Sequence, residues 1–285
     1  MGRIILAVVI AYCAFVAYIY WAQRDFMYFP FGDDMPPPKA FPAYSEIHVE
    51  TKDGLRLTGW YAAPDKSVGW VIVMFHGNAQ NISVRPPKMA DFLEQGYGIL
   101  LAEYRGYGGN PGQPTEKGLY ADGRAYLDWL IREKKYKAED IILFGESLGS
   151  AVAVQLGTEY EVKAVILDVP FNNAVALARR NFFFVPFLSI LMKDQYRSDE
   201  KIGRLSMPVI IGVGGRDYIA PPRFGRALYR AATEPKILKE YPGAGHFDLA
   251  SYGFHQDIMT ILEDLSDQTS GQEEPDQPRD QSAIR

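Results

Sequence analysis

Cysteine is almost absent from this chain. The 285 residues include one cysteine, Cys13, which lies in an apolar stretch near the N-terminus. The rest of the chain therefore has no disulfide, no thiolate nucleophile and no cysteine-based zinc site. Histidine is also scarce, and no close-spaced metal pattern occurs among His48, His76, His246 and His255. The sequence predicts a protein that uses neither a metal nor another cofactor.

A surplus of positive charge is missing too. The net charge is −5, and residues 263–285 account for all of it with seven acidic and two basic residues. The remainder of the chain is neutral and has no basic stripe, so nucleic acid is not an expected partner. Hydrophobic residues make up 47% of the chain and charged residues 23%, which is sufficient for one large folded domain with appendages.

One long hydrophobic run, from Ile4 to Ala22, contains no charged residue. As a helix it would span the ~30 Å hydrocarbon layer of a membrane. It ends near Tyr20 and Trp21, which are typical of the membrane interface, whereas a cleaved signal peptide has a shorter apolar region and small residues before the cut. We interpret residues 1–22 as a membrane anchor with a transmembrane helix over about 4–22. A signal peptide is the alternative.

The residues that flank this run give little information on orientation. Arg3 precedes it and Arg24 and Lys39 follow it, so the positive-inside rule barely discriminates. The expectation is a catalytic domain on the non-cytoplasmic side. Residues 23–43 contain several prolines and predict a stiff connector without regular structure.

Residues 44–266 alternate between strand-like and helix-like patterns, which predicts an α/β fold with a mostly parallel eight-stranded sheet and helices on both faces. The first two strands are joined by Lys52-Asp53-Gly54, a turn that favours an antiparallel hairpin. The predicted strands lie near 44–51, 55–61, 70–75, 98–103, 140–144, 163–167, 208–213 and 236–241. Residues 267–285 are predicted to be an acidic, disordered tail.

The pattern Gly145-Glu146-Ser147-Leu148-Gly149 follows an apolar strand and begins a helix of small residues. A sharp strand-to-helix turn of this kind exposes the serine at the carboxyl edge of the sheet. Ser147 is therefore the candidate nucleophile. The backbone N–H of Leu148, at the helix start, is a candidate donor to a developing oxyanion.

A second oxyanion donor is expected in His76-Gly77-Asn78-Ala79, which directly follows the strand near 70–75. Gly77 allows the backbone to approach a substrate closely, and the N–H of Asn78 is the candidate donor. We expect His76 to organise this loop by hydrogen bonding rather than to transfer protons.

The base is predicted to be His246, in the glycine-rich Gly243-Ala244-Gly245-His246 after the last strand. The acid is predicted to be Asp217, which follows the strand near 208–213, with Asp168 at the end of the preceding strand as the rival. His48 and His255 are interpreted as surface or packing residues. The order serine, acid, histidine along the chain is that of the α/β hydrolases.

At residues 23–260 the chain resembles the Bem46-like branch of α/β hydrolases, which includes the α/β-hydrolase domain-containing proteins 13 and 17. The motifs that carry the resemblance are Gln23–Pro30, His76–Ala79, Tyr104–Gly109 with Pro114–Glu116, Gly145–Gly149, Pro170-Phe171 and Gly243–His246. The resemblance implies an α/β-hydrolase fold, esterase or thioesterase-like activity and, frequently, an N-terminal anchor. Glu103 departs from the family, which often has aspartate before Tyr-Arg-Gly; this position lies outside the predicted triad.

The segment 171–206 includes a strongly apolar stretch, residues 182–192. It could form a cap over an acyl pocket, contact the membrane, or pack on the core of the domain. The sequence therefore predicts a membrane-anchored serine hydrolase that cleaves esters or thioesters of small or lipid-like acyl substrates. A peptidase or amidase with the same triad, and a catalytically silent membrane-tethered scaffold, are the alternatives; the oligomeric state is left open.

Overall fold

A single sheet forms the centre of the domain. The computed structural model describes residues 1–30, 35 and 38–270. The strands of the sheet are β1 Ser45–Glu50, β2 Arg56–Ala62, β3 Val71–Phe75, β4 Gly98–Ala102, β5 Ile141–Glu146, β6 Ala164–Asp168, β7 Val209–Gly214 and β8 Lys236–Tyr241. Their order is β1-β2-β4-β3-β5-β6-β7-β8, and only the β1–β2 and β2–β4 pairs in this described region are antiparallel. The predicted mostly parallel eight-stranded sheet is confirmed.

Helices cover both faces of the sheet because its strands are apolar on both sides. In β3, for example, Val73 and Phe75 lie in one core layer, and Ile72 and Met74 lie in the other. The first layer is completed by α3 Glu116–Arg132, α4 Leu148–Gly157 and α7 Arg223–Ala231. The second is completed by α2 Pro86–Glu94 and α8 Phe254–Ser270.

The carboxyl ends of the parallel strands meet at one edge of the sheet. The strand register pairs Phe75 with Gly145, Glu146 with Asp168, and Asp168 with Gly212. The loops that follow β3, β5, β6 and β7 therefore converge, which is where ligands bind in open α/β sheets.

The N-terminal helix α1, Gly2–Ala22, is apolar and long enough to cross a membrane. A signal sequence would meet the same description of length and composition. Its C-terminal half contacts the domain: Ile19 and Ala22 are buried, and Tyr12 and Phe15 contact Phe184. The first part of the connector is bound to the domain as well, because the N–H of Phe29 donates to the carbonyl oxygen of Asn78 over 2.8 Å. Much of the proline-rich part of the connector lies outside the described residues.

The last helix of the domain is preceded by a short turn. A 3₁₀ turn spans Leu249–Tyr252, and Gly253, with φ of +98°, interrupts the backbone before α8 begins at Phe254. A residue without a β-carbon adopts that conformation at little cost. Helix α8 extends to Ser270. The remainder of the predicted tail, 271–285, lies outside the described residues.

The stability of this core is expected to depend on pH through His255. Its ring is 1% exposed, packs 4.7 Å from the ring of Phe92 and contacts Asp91. Burial lowers the pKa of His255, and the hydrogen bond to the Asp91 carboxylate, which raises this pKa, offsets the effect only in part. Because the folded pKa lies below the unfolded value of about 6.5, neutral His255 stabilises the fold above pH 6.5, and this contribution is lost as the pH falls.

The melting temperature should therefore decrease between pH 7 and pH 5, and His255→Gln should make that decrease less steep. The exposed His48, in β1, provides the matched control. His48→Gln should leave the slope unchanged. An equal slope for wild type and His255→Gln would show that His255 does not contribute to the pH dependence.

Candidate active site

Ser147 occupies a strained turn between β5 and α4. Its φ is +51° and its ψ is −110°, a conformation that residues with a side chain rarely adopt. The turn is held by its neighbours: the N–H of Ser147 donates to the carbonyl of Asp168 over 2.9 Å, and the N–H of Ser150 donates to the carbonyl of Ser147. The strained backbone is thus fixed by the surrounding structure, and the Ser147 side chain lies at the carboxyl edge of the sheet.

The turn is so tight that its second glycine, Gly149, has no room for a side chain. A β-carbon at Gly149 would lie 2.0 Å from the carbonyl oxygen of Phe75, at the end of β3. Because the carbonyl oxygen of Phe75 belongs to the backbone of β3 and cannot rotate away, α4 would have to move away from the sheet. We therefore expect Gly149→Ala to destabilise the domain by about 3 kcal/mol, near the upper end of usual overpacking costs, as measured by chemical denaturation.

Gly245→Ala is the control for that substitution. A β-carbon there would lie 3.6 Å from Oδ1 of Asp248, which is ordinary van der Waals contact. Its stability should be close to that of the wild type. Equal stability of the two variants would contradict the close packing of the turn.

Ser147, His246 and Asp217 form a continuous chain of hydrogen bonds. Oγ of Ser147 lies 3.0 Å from Nε2 of His246, and Nδ1 of His246 lies 2.7 Å from Oδ2 of Asp217. The other carboxylate oxygen, Oδ1, accepts the N–H groups of Ile219 and Ala220, each over 2.8 Å. An acceptor-only carboxylate selects the histidine tautomer with the proton on Nδ1, so Nε2 can accept the proton of Ser147.

Asp168, the rival acid, faces a different partner. Its Oδ2 lies 2.5 Å from Nζ of Lys88 on α2, and Lys88 also pairs with Glu146, the residue before Ser147. Arg85 completes this buried cluster, 3.0 Å from the Glu146 carboxylate. Burial would raise the pKa of Glu146, but the two cations outweigh it and lower the pKa to about 2. Asp168 thus belongs to an ionic cluster behind the turn, and Asp217 is the carboxylate that contacts His246.

The two predicted oxyanion donors lie together beside the nucleophile. Asn78, Ser147 and Leu148 line the same cavity. The carbonyl of Asn78 accepts hydrogen bonds from the N–H of Phe29 and the hydroxyl of Tyr107, and its side-chain amide donates to the carbonyl of Met27. The loop that carries the Asn78 N–H is therefore held from three directions.

His76 fixes the peptide that contains this N–H. Nδ1 forms a hydrogen bond with the carbonyl oxygen of Gly77 over 2.7 Å, and Nε2 forms one with the carboxylate of Glu103 over 2.8 Å. Glu103 also accepts the N–H groups of Tyr104 and Ile82, and the side chains of His76 and Glu103 are fully buried. In a trans peptide the N–H points away from the carbonyl, so holding the carbonyl of Gly77 orients the N–H of Asn78. His76 has the organising contacts expected from the sequence.

A cavity of about 200 Å³ lies next to Ser147. Two elements distant in sequence contribute to its wall: the end of α1 and the segment between β6 and β7, which contains the short helices α5 Ala174–Ala178 and α6 Leu188–Leu191. Ile19 and Gln23 line it from the first element; Phe182, Leu188 and Met192 line it from the second. No aspartate or glutamate is among the described residues of this wall.

Several residues around Ser147 were not predicted from the sequence to belong to the site. Arg85 directly precedes α2 and Lys88 lies in its first turn, a charge spacing that is also typical of a solvated surface. Glu146 is the sequence signal that could have indicated this ionic cluster, because an acidic residue at the end of a buried strand needs a positively charged or hydrogen-bonding partner. The contribution of Ile19 depends on a contact across more than 120 residues, and no local pattern indicates it. Within the described part of the chain, no group of His, Cys, Asp or Glu side chains is arranged for a metal ion.

Comparisons with known proteins agree with this architecture. The model of the family described as serine aminopeptidase, S33, matches residues 66–193. An uncharacterized protein of Mycobacterium tuberculosis is 38% identical over 236 residues, which cover 82% of this chain and 83% of that protein. Human α/β-hydrolase domain-containing protein 17B is 30% identical over 213 residues, 72% of this chain and 70% of that protein. The chain belongs to the α/β-hydrolase superfamily.

The fold of this α/β hydrolase also agrees with solved structures. An esterase of Pyrococcus furiosus aligns with a TM-score of 0.68 at 19% identity, covering 85% of this chain and 97% of the esterase. At that identity the likeness concerns the fold. The resemblance stated from the sequence motifs is thus confirmed at the level of the superfamily.

Proposed function

We propose that this α/β hydrolase is a membrane-anchored serine hydrolase that cleaves esters or thioesters of acyl, lipid-like substrates. The observation that supports this most directly is the hydrogen-bonded chain from Ser147 through His246 to Asp217 at the wall of an apolar cavity. A nucleophile, a base within hydrogen-bond reach and a third group that orients the base are the parts that covalent acyl transfer requires.

In the proposed mechanism, Nε2 of His246 takes the proton of Ser147 as Oγ attacks the substrate carbonyl. The carbonyl oxygen becomes an oxyanion and accepts hydrogen bonds from the N–H groups of Leu148 and Asn78. His246 then protonates the leaving alcohol or thiol, which departs and leaves an acyl group on Ser147. A water molecule, deprotonated by His246, attacks the acyl group, and the proton returns to Ser147 as the acid is released.

The cavity wall favours an acyl chain over a peptide. An aminopeptidase binds the positively charged amino terminus of its substrate, and a carboxylate is the usual partner for such a charge. The described wall contains none, and the residues that α1 and the 171–206 segment contribute are mainly apolar, including Ile19, Phe182 and Leu188. A peptidase or amidase on the same triad is therefore the second candidate, supported by the family that matches residues 66–193.

An acyl-chain series distinguishes the two. With the full chain purified in detergent, kcat/KM for esters and thioesters should rise about fourfold per added methylene until the cavity is filled, since each buried methylene contributes about 0.8 kcal/mol. Aminoacyl amides of matched leaving groups serve as the comparison and should be poor substrates. A flat chain-length profile with faster cleavage of the amides would favour the peptidase.

A further inference from the structure

The segment between β6 and β7 carries an exposed apolar ridge that consists of Phe183, Phe184, Phe187 and Ile190. Phe183, Phe187 and Ile190 are 74–80% exposed. Single exposed apolar residues are common on soluble proteins, but four within eight residues form a patch that needs a partner. The neighbouring Val185 and Leu188 are buried against Ile19, so the ridge is the outer side of a segment that is itself well packed.

The ridge lies alongside the middle of α1. The hydroxyl of Tyr12 donates to the carbonyl of Phe184 over 2.6 Å, and the rings of Phe15 and Phe184 stack with 6.0 Å between centroids. From Tyr12 to Ala22 the helix rises about 15 Å, at 1.5 Å per residue. That is half of a hydrocarbon layer about 30 Å thick. If α1 crosses a membrane, the ridge lies within the same layer.

Polar contacts mark the depth at which this layer ends. Below the ridge, Arg24 pairs with Asp194 over 2.7 Å, and the ammonium group of Lys193 lies 4.5 Å from the centre of the Tyr20 ring. Arg179, which precedes the ridge, is exposed, whereas the guanidinium of the exposed Arg180 donates to the carbonyls of Tyr218 and Ile219. Long basic side chains at such positions extend to lipid headgroups and are attracted by anionic lipids. An apolar surface that is followed by basic side chains is typical of a protein at a membrane interface.

We propose that the ridge inserts into the membrane leaflet on the side of the catalytic domain, next to α1. This proposal rests on the proposed membrane anchor. The lipid acyl chains are the partner because the exposed surface of the ridge is continuous with that of α1, which the same chains must cover. The hydrogen bond between Tyr12 and Phe184 fits that setting, since a hydroxyl and a carbonyl without water must satisfy each other.

The position of the ridge specifies where substrate comes from. The cavity beside Ser147 is walled by Ile19 of α1 and by Phe182, which directly precedes the ridge. Two walls of the cavity therefore adjoin the surfaces of α1 and of the ridge that the lipid chains would cover. The substrates are esters or thioesters that already reside in the membrane, with the carbonyl near the headgroup level.

Depth-dependent quenching tests this arrangement on the full chain in phosphatidylcholine vesicles that contain some phosphatidylglycerol. The single native cysteine, Cys13, is exposed and lies next to Tyr12, so a fluorophore on it reports the depth of α1. In a Cys13→Ser background, the same fluorophore is attached through Phe187→Cys or Ile190→Cys. Tyr252→Cys, at an exposed position on the turn before α8, is the matched control. Fluorophosphonate labelling of each variant checks that it is folded.

Lipids with a nitroxide on the acyl chain should quench the fluorophores at positions 13, 187 and 190 to a similar degree and should not quench the fluorophore at position 252. Aqueous iodide should quench only the fluorophore at position 252. If 13 is quenched by lipid but 187 and 190 respond to iodide, the ridge lies in water and the inference is wrong, although the anchor stands. Shielding of 187 and 190 from both quenchers would assign the ridge to a protein contact and also overturn it. Loss of lipid quenching at 13 would instead refute the anchor.

Discussion

Ser147→Ala is expected to abolish labelling by a fluorophosphonate probe and to lower ester hydrolysis by about 10⁴–10⁶-fold. The probe reacts with an activated serine, and Oγ of Ser147 is the hydroxyl that contacts Nε2 of His246. Oriented donors and bound water would still give slow hydrolysis, which is why the expected loss is large but finite. The measurement is gel fluorescence after labelling together with kcat for a short ester.

Ser251→Ala is the control for this experiment. Ser251 is an exposed serine in the 3₁₀ turn before α8, so its hydroxyl should be dispensable. Labelling of the Ser147→Ala variant at the wild-type level would reject Ser147 as the nucleophile. If the wild-type chain itself does not react, the catalytically silent scaffold becomes the better description.

Asp217→Asn is expected to lower kcat by about 10⁴-fold with little loss of stability. The amide has the shape of the carboxylate, and its oxygen can still accept the N–H groups of Ile219 and Ala220. Its NH₂ group, however, would donate to Nδ1 of His246 and move the ring proton to Nε2. That nitrogen could then no longer accept the proton of Ser147.

Asp168→Asn provides the matched comparison, because the same substitution is made at the end of the neighbouring strand. It removes one of the two carboxylates that neutralise the buried Lys88. We expect a loss of about 3 kcal/mol in the free energy of unfolding, as for other broken buried ion pairs, with hydrolysis largely retained. If Asp168→Asn is inactive and Asp217→Asn is active, the acid role belongs to Asp168.

The sheet was predictable because its signals are local. Runs of apolar β-formers, separated by amphipathic stretches, locate the strands to within two residues at their ends, and Lys52-Asp53-Gly54 indicates the antiparallel start. In a parallel sheet the ends of consecutive strands must share an edge, so residues that follow strands could be expected to meet. Ser147, Asp217 and His246 follow β5, β7 and β8, and the structure brings them together. Their catalytic roles stay a prediction.

Which aspartate contacts His246, Asp217 or Asp168, could not be decided without the three-dimensional structure. Both residues follow strands that end at the same edge of the sheet, and local sequence allows either to reach a histidine. What separates them is Lys88, a residue of α2 that approaches Asp168 from 80 positions away. A pattern on one helix does not indicate which strand end it will neutralise, so the decision rests on packing between elements.

The same limit applies to the segment 171–206. Its apolar stretch is compatible from the sequence with a cap, a membrane contact or a core element, and the structure gives its residues different surroundings. Val185 and Leu188 pack inward, Phe182 lines the cavity, and Phe187 and Ile190 face outward. Neighbouring residues of one short irregular segment thus have different surroundings, which composition alone cannot assign.

The hydrogen bonds of Asn78 to Met27 and Phe29 have a mechanical consequence. Helix α1 and the loop that carries Asn78 are joined by six residues and two hydrogen bonds. A displacement of α1 along its axis would pull on the loop that carries Asn78. A protease that removed α1 would also open one wall of the cavity. The position of α1 is therefore coupled mechanically to the loop beside Ser147.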